Sequence, residues 1–423
     1  MLQRLHELSP FQTPEAKRLA ILFGVVYFSQ GMYHVTDQMV TLTLKDQFGL
    51  SAAQVANFGW IILIPWVIKP VYGLLSDSVP LFGRRRKSYF LLTCTLATVA
   101  AVALSLMGAP TYWRMALLIT VMSLGLAFTD VLTDAMMVER GKPLGLTGAF
   151  QSVQWASINV ATILVGAIGG YLAEQRELHT GFLIAAFFPF LALVMGTAFI
   201  HEAPAKSRRE EFREAWLGIK RAVGHRTMWV VAGFIFFWTF SPSIGIPLFY
   251  YQTDTLKFSQ QFIGLLGSLG AAAQIVGAAF YAPLSRRYPL RRLIEWSIGV
   301  GVVGTLAYLL YNDWKSAMII DITFGGLSMI VQLAFLDLAA KACPPHAEGT
   351  FFALLMSVYN FGVQGSQVAG GYLYDWIGYT PLIIISAAFT AAAWLLVPLL
   401  DIPEIERRAR AAGPPPEIAP ANA

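Results

Sequence analysis

Long apolar runs separated by short polar turns dominate this chain. Runs of roughly 20 residues, long enough to cross about 30 Å of hydrocarbon as α-helix, fall near 19–44, 52–76, 88–108, 113–138, 145–172 and 180–200. After a polar stretch they resume near 228–252, 260–284, 291–311, 315–340, 348–373 and 379–400. The pattern predicts twelve transmembrane helices, six on each side of a polar linker. In the linker, Phe212, Trp216, Ile219 and Val223 recur at helical spacing. That predicts either an amphipathic helix at the membrane surface or a solvated linker helix. The first run is too long for a signal-peptide core and no small-residue cleavage pattern follows it, so it is expected to remain as the first helix. After Asp401 the chain turns rich in Pro and Ala, which predicts a disordered tail.

Composition agrees with the pattern. The chain is 56% hydrophobic and 13% charged, whereas a soluble domain carries about a quarter charged residues. Charge then sets orientation. Of the 30 Lys and Arg, five (Lys45, Arg114, Arg176, Lys257, Lys315) fall on one set of alternate loops and Lys69 falls within a span. The rest lie on the other set, with both termini, and by the positive-inside rule that side is cytoplasmic. The expected organisation is a cytoplasmic segment 1–18, a six-helix bundle 19–200, a cytoplasmic linker 201–227, a second bundle 228–400 and a cytoplasmic tail 401–423. The net charge of +5 sits in loops, with no aromatic-interleaved basic face for nucleic acid. Two cysteines and six scattered histidines supply no metal spacing, no disulfide framework and no nucleophile–base pair, and no Walker or GxGxxG loop is present. No enzyme, cofactor or metal is expected.

The chain also repeats itself. Leu126-Ala127-Phe128 followed by Asp130 recurs as Leu333-Ala334-Phe335 followed by Asp337, and Gly169-Gly170-Tyr171-Leu172 recurs as Gly370-Gly371-Tyr372-Leu373. Gly148 likewise matches Gly349. Two related halves imply a cleft between them near the bilayer midplane, the design of alternating-access carriers.

The segment Ile64 to Tyr89, IPWVIKPVYGLLSDSVPLFGRRRKSY, carries Gly73-x-x-x-Asp77 and then Gly83-Arg84-Arg85-Arg86. It resembles the loop between helices 2 and 3 of the major facilitator superfamily, with Ser78 to Phe82 inserted before the glycine. That variant is similar to the folate–biopterin transporter family. So are Phe28-Ser29-Gln30-Gly31, Asp130-Val131-x-x-Asp134-Ala135, Val138-Glu139-Arg140, Gln151-Ser152-x-x-Trp155 and Ser241-Pro242-Ser243. The resemblance implies an all-α integral membrane protein with two pseudo-symmetric six-helix bundles, the major facilitator fold. It implies a secondary-active carrier of a folate- or pterin-like solute, and a monomer is the expected state. Rival expectations are a carrier of another small organic anion or amphiphile, and a non-transporting scaffold or pigment-delivery protein. His34 and Asp37 depart from the family's pattern and leave room for a different substrate.

Ionisable groups inside spans cost at least ~2.5–3.5 kcal/mol each near the helix centre, so each needs a partner, a cavity or a function. His34 and Asp37 lie in the first span, Lys69 in the second, Asp130 and Asp134 in the fourth, and Asp321 and Asp337 in the tenth. Asp130 and Asp134 are four apart and share a helix face, about 6 Å apart along the axis. His34, Asp37, Asp130 and Asp134 are the expected substrate or proton-coupling residues. Lys69 is the cation for an anionic substrate or a salt-bridge partner of Asp134, and Trp155 is a candidate for stacking on a flat ring. By resemblance, Asp77, Arg84, Glu139 and Arg140 form a cytoplasmic gate, with topology signalling the simpler role for Arg85, Arg86 and Lys87.

Overall fold

The computed structural model describes residues 11–203, 226–343 and 348–411, together with Leu217 and Gly224. Phe212, Trp216, Ile219 and Val223 of the expected linker helix lie outside the described residues. Among the described residues regular structure is helical, with a single isolated bridge between Leu81 and Arg84.

The first span is built in pieces. Helix α1 (Pro14–Met32) starts on Thr13, whose hydroxyl accepts the Ala16 N–H at 3.1 Å, with Pro14 and Glu15 in the first turn. Those residue types suit the orphan donors and positive end of a helix N-terminus. A 3-10 turn, Tyr33–Thr36, then leads into α2 (Asp37–Asp46). The second span divides into α3 (Ala52–Val67), opened by a Ser51/Gln54 capping box, and α4 (Lys69–Ser78). The break at Ile68 lies between Pro65 and Pro70. Pro70 has no N–H for the Trp66 carbonyl, so the ladder is interrupted there. Helices α5 (Lys87–Ser105), α6 (Tyr112–Leu144), α7 (Thr147–Glu174) and α8 (Leu178–Phe199) complete the first half.

In the second half, the expected span 228–252 is interrupted at Ser241-Pro242-Ser243. It forms α9 (Arg226–Thr239), α10 (Gly245–Tyr250) and a π-turn, Tyr251–Thr255. Then follow α11 (Gln260–Arg287), α12 (Leu290–Ala307), α13 (Trp314–Ala342), α14 (Glu348–Ile377) and α15 (Tyr379–Ala392). Nine helical stretches among the described residues are long and apolar enough to cross a membrane, or ten with the pair Tyr379–Leu395 and Val397–Arg407, which is bent by 44°. All six first-half runs are among them. The sequence count of twelve is reached only by adding the interrupted α9–α10 segment and α14.

The expected disordered tail begins instead as a helix, α16 (Ile402–Ala411). Ile402 and Ile405 are buried there among Val231, Ile294 and Leu338. An isoleucine pair at i, i+3 gives one apolar stripe, which the Pro-rich residues beyond it mask in a composition reading.

Contacts divide the chain into Met1–Val40 with Val71–Phe212, and Thr41–Pro70 with Arg213–Ala423. In the first unit α1 packs on α7 and α8, and α5 on α6 and α8. Small residues make this possible: a Cβ on Gly31 would lie 2.5 Å from the Ala161 Cβ, and one on Gly125 would lie 2.5 Å from the Thr93 carbonyl oxygen. Lipid tails are as apolar as leucine, so such close approach, rather than hydrophobic burial, binds membrane helices together. In the second unit α3, α9 and α10 pack on α14, α11 packs on α13, and α12 packs on α13 and α15.

Candidate functional site

The first unit carries its polar side chains on facing surfaces of α1 and α6. Gln30 Nε2 donates to Asp130 Oδ1 at 3.0 Å, and the Tyr27 hydroxyl donates to Asp134 Oδ1. The i, i+4 spacing of the acids on α6 thus meets an i, i+3 spacing on α1. Asp130 is buried, at 6% exposure. Beside it a cavity of about 10 Å³, room for one water molecule, is lined by Ser29, Gln30, Cys94, Thr129 and Asp130 among others. The Thr93 and Thr129 hydroxyls are 2.7 Å apart behind it. The amide oxygen of Gln30 is buried without a hydrogen-bond partner.

One turn further along the same span the helix tightens into the 3-10 turn. Tyr33, Val35 and Thr36 point into the protein at 8%, 0% and 4% exposure. His34 and Asp37 keep 55% and 58% of their side chains accessible, and His34 Nδ1 lies 2.7 Å from Asp37 Oδ2. The turn is held from behind, where a Cβ on Gly169 of α7 would lie 2.9 Å from the Val35 carbonyl oxygen.

A charged cluster occupies the end of the unit where α4 gives way to α5. Arg86, 6% exposed, places Nη2 2.5 Å from both Asp77 Oδ1 and Glu139 Oε1, and donates through Nη1 to Ser76 Oγ at 2.7 Å. Burial alone would lower the pKa of this guanidinium. The hydrogen bond to Glu139 and the charges of Asp77 and Glu139 outweigh burial and push it up. Glu202, beyond the end of α8, accepts the backbone N–H groups of Arg85 (2.8 Å), Arg86 (3.0 Å) and Lys87 (2.8 Å). An anion bonded to three successive amides at a helix start sits at the positive end of its dipole. Arg140 Nη2 donates to the His201 carbonyl at 2.9 Å, and its Nη1 is 4.0 Å from Glu15. Arg84 contributes backbone only. Its N–H and C=O exchange 3.0 Å bonds with Leu81 around Phe82 (φ +50°) and Gly83 (φ +73°), and its side chain is exposed. The cation at the centre is therefore Arg86, not Arg84 as the sequence suggested. The tight turn carries Arg84 outward, and Glu202 fixes the backbone so that Arg86 points inward.

Lys69 and Trp155 lie elsewhere. Lys69 Nζ sits 4.5 Å from the centre of the Trp66 ring, a cation–π pair on consecutive turns of the broken second span. Trp155 of α7 is 47% exposed. In the second unit the loop and helix 41–70 are bonded to the second half along their length. Lys45 Nζ lies 2.6 Å from Asp254 Oδ1, and the Tyr250 hydroxyl donates to the Leu50 carbonyl at 2.5 Å. Asp375 accepts the Ala53 N–H at 3.1 Å, Asn57 donates to the Tyr372 hydroxyl at 3.1 Å, and Gln364 donates to the Ala56 carbonyl at 3.2 Å. Among the described residues no group of three or more His, Cys, Asp or Glu is arranged to hold a metal ion.

The sequence reading missed Tyr27, Glu202 and the central place of Arg86. A signal existed for the first: Tyr27, Gln30 and His34 form an i, i+3, i+7 polar stripe along an apolar helix.

Solved transporters share this architecture. A crystal structure of the nucleoside transporter NupG superposes with a TM-score of 0.69 at 15% identity, covering 93% of this chain and 100% of that one. A peptide transporter POT in complex with sulfate gives 0.70 at 16% identity, covering 96% and 99%. At such identity the likeness is one of fold. Fold and apolar spans together define a multi-pass membrane protein with the major facilitator fold. The chain belongs to the BT1 family, whose profile matches residues 30–399. It is 33% identical to a folate-biopterin transporter of Synechocystis over 92% of this chain and 81% of that protein. It is 26% identical to probable folate-biopterin transporter 4 of Arabidopsis thaliana, covering 86% and 91%. Folate transporter 1 of Plasmodium falciparum is 24% identical, covering 88% and 75%.

Proposed function

We propose that this protein moves a folate- or pterin-like anion across a cell membrane by alternating access, coupled to protons, with both termini cytoplasmic. The observation that carries the cargo is the 33% identity to the Synechocystis folate-biopterin transporter over 92% of this chain. The strong cation bias of alternate loops supports the orientation. Proton coupling rests on Asp130. It is a carboxylate buried within a span beside a one-water cavity, where a lasting charge is costly. Gln30 suits both forms of the acid. Its N–H₂ serves the carboxylate, and turning the amide presents its unpartnered oxygen to the protonated acid. His34 and Asp37 offer an open donor–acceptor pair for the solute, and Lys69 on Trp66 offers a cation for its carboxylates.

In this reading the 41–52 loop lies on the outer side, and the Asp77–Arg86–Glu139 cluster belongs to the cytoplasmic gate. The test is uptake of labelled folate by purified protein in liposomes under an acid-outside gradient. Wild-type protein accumulates folate. The Asp130→Asn variant exchanges folate across the membrane but does not accumulate it. Unaltered proton-driven accumulation by that variant removes Asp130 from the mechanism. A melting point that no folate or pterin raises removes the cargo.

A further inference from the structure

A second, partly buried acid lies within a span of the other half, and neither the charged cluster nor the Asp130 pair involves it. Asp321 is seven residues into α13, about 10 Å along the helix from its start. The end of α12 folds over it. The 3-10 turn Tyr308–Leu310 brings the Tyr308 hydroxyl 3.1 Å from Asp321 Oδ1, and the Tyr311 hydroxyl lies 2.9 Å from Oδ2. Tyr311 is 1% exposed, and its hydroxyl oxygen accepts from Gln252 Nε2 at 2.6 Å. The chain of donors therefore runs Gln252 to Tyr311 to Asp321, and every link points toward the carboxylate.

No Lys, Arg or His among the described residues pairs with Asp321. Lys315, in the first turn of α13, lies over the Trp314 ring at 5.5 Å. α11 packs along α13, and a Cβ added to its Gly270 would lie 3.6 Å from the Asp321 carbonyl oxygen. Leu266 of α11 and Phe324 of α13 belong to the apolar cluster around Tyr311. The titratable groups around the acid are thus phenols: Tyr308 and Tyr311 from the end of α12, and Tyr379 from α15, which packs against the 308–310 turn. The Tyr379 ring stacks on Tyr251 at 4.1 Å, and its hydroxyl is buried without a hydrogen-bond partner.

We propose that Asp321, held by the Tyr308 and Tyr311 hydroxyls, is a second proton-binding site, in the second half of the carrier and separate from Asp130. An anion inside a membrane span with only neutral donors and no counter-charge is poised between two states. The phenols stabilise the carboxylate, and exclusion of water opposes it. Taking up a proton removes the charge and adds one O–H donor to a cluster that holds one hydroxyl without a partner. The step balances as carboxylate plus proton to carboxylic acid, with water at the membrane face of the 311–313 loop as the proton source. In the proposed orientation that face is the outer one, so the site loads from the side where a proton gradient is applied.

The site deepens the proposed proton coupling, but its test needs no substrate and no transport. The full-length protein in liposomes is titrated while the infrared band of protonated carboxyl groups is followed, for wild type and for Asp321→Asn, Asp130→Asn and Tyr311→Phe. We expect Asp321→Asn to lose one titrating component that Asp130→Asn keeps. Tyr311→Phe, which removes a donor to the charged form, should move the midpoint of that component up by about one pH unit. A titration of Asp321→Asn identical to wild type overturns the proposal. If that variant does not fold, an unmoved midpoint in Tyr311→Phe overturns it equally. Loss of folate accumulation in Asp130→Asn alongside an unchanged Asp321→Asn titration leaves the proposed function standing without this site. The reverse pair of results leaves the site standing without the proposed role of Asp130.

Discussion

Replacing Arg86 with Gln tests the charged cluster most directly. The guanidinium is 8% exposed and bridges two carboxylates whose side chains are each 44% exposed. Removing one partner of a fully buried pair costs ~3–5 kcal/mol, because the other charge is left unpaired in a dry site. Here the stranded groups are Asp77 and Glu139, and nearly half of each reaches solvent, so screening reduces the figure. We expect about 2–3 kcal/mol, equivalent to one or two charge-assisted hydrogen bonds. The cycle with Glu139→Gln isolates the bridge. If the pair is real, the double variant is less destabilised than the sum of the singles by about 1–2 kcal/mol. Arg84→Gln is the internal control and should stay within about 0.5 kcal/mol of wild type, as an exposed side chain does. The assay is denaturant unfolding of the purified protein in detergent, followed by tryptophan fluorescence. Additive single effects, or an Arg84 variant as damaged as the Arg86 one, would refute the assignment of Arg86 as the centre.

The Lys45–Asp254 pair should hold the start of the 41–70 segment against the end of α10. Asp254→Asn is expected to weaken it by up to about 1 kcal/mol, and the exchange Lys45→Asp with Asp254→Lys should restore protection of introduced cysteines near it from a membrane-impermeant thiol reagent. Gly277→Ala sets its new methyl carbon 2.0 Å from the Gly326 carbonyl oxygen, so α11 and α13 must part and the melting point should fall, with a cost of about 1–3 kcal/mol. Gly148→Ala meets nothing within 4 Å on helix α7 and should stabilise by about 0.5–1 kcal/mol in the same assay. Phe82 holds φ +50° in an exposed turn, and Phe82→Gly should relieve about 1 kcal/mol of strain.

Much of this was legible because lipid leaves so little freedom. A run of some twenty apolar residues has one stable fate in a bilayer, and all six first-half spans follow from that alone. Breaks within spans were harder to read. Pro65, Pro70 and Pro242 are visible, but whether a proline bends a helix or ends it depends on which neighbour takes the freed carbonyl. The acids of α6 were legible as a shared face, and their partners Tyr27 and Gln30 follow from spacing once α1 is known to face them. The choice among four consecutive cations was not legible. It is made by a tight turn and by Glu202, more than a hundred positions along the chain, which no local pattern connects to Arg86. Asp321 could be noticed as costly, but its phenolic setting arises from a turn at the end of α12 that apolar periodicity does not reveal.

Glu406 of α16 accepts the Leu290 N–H at 3.0 Å, at the first residue of α12, much as Glu202 does for α5. Each half thus ends on a glutamate that ties down the start of its own third membrane crossing. The practical result concerns where the polypeptide can be trimmed or extended. A purification handle replacing everything after Leu400 would remove this tie and expose the Ile294 and Leu338 surface that Ile402 and Ile405 cover, whereas one fused beyond Ala411 leaves both in place.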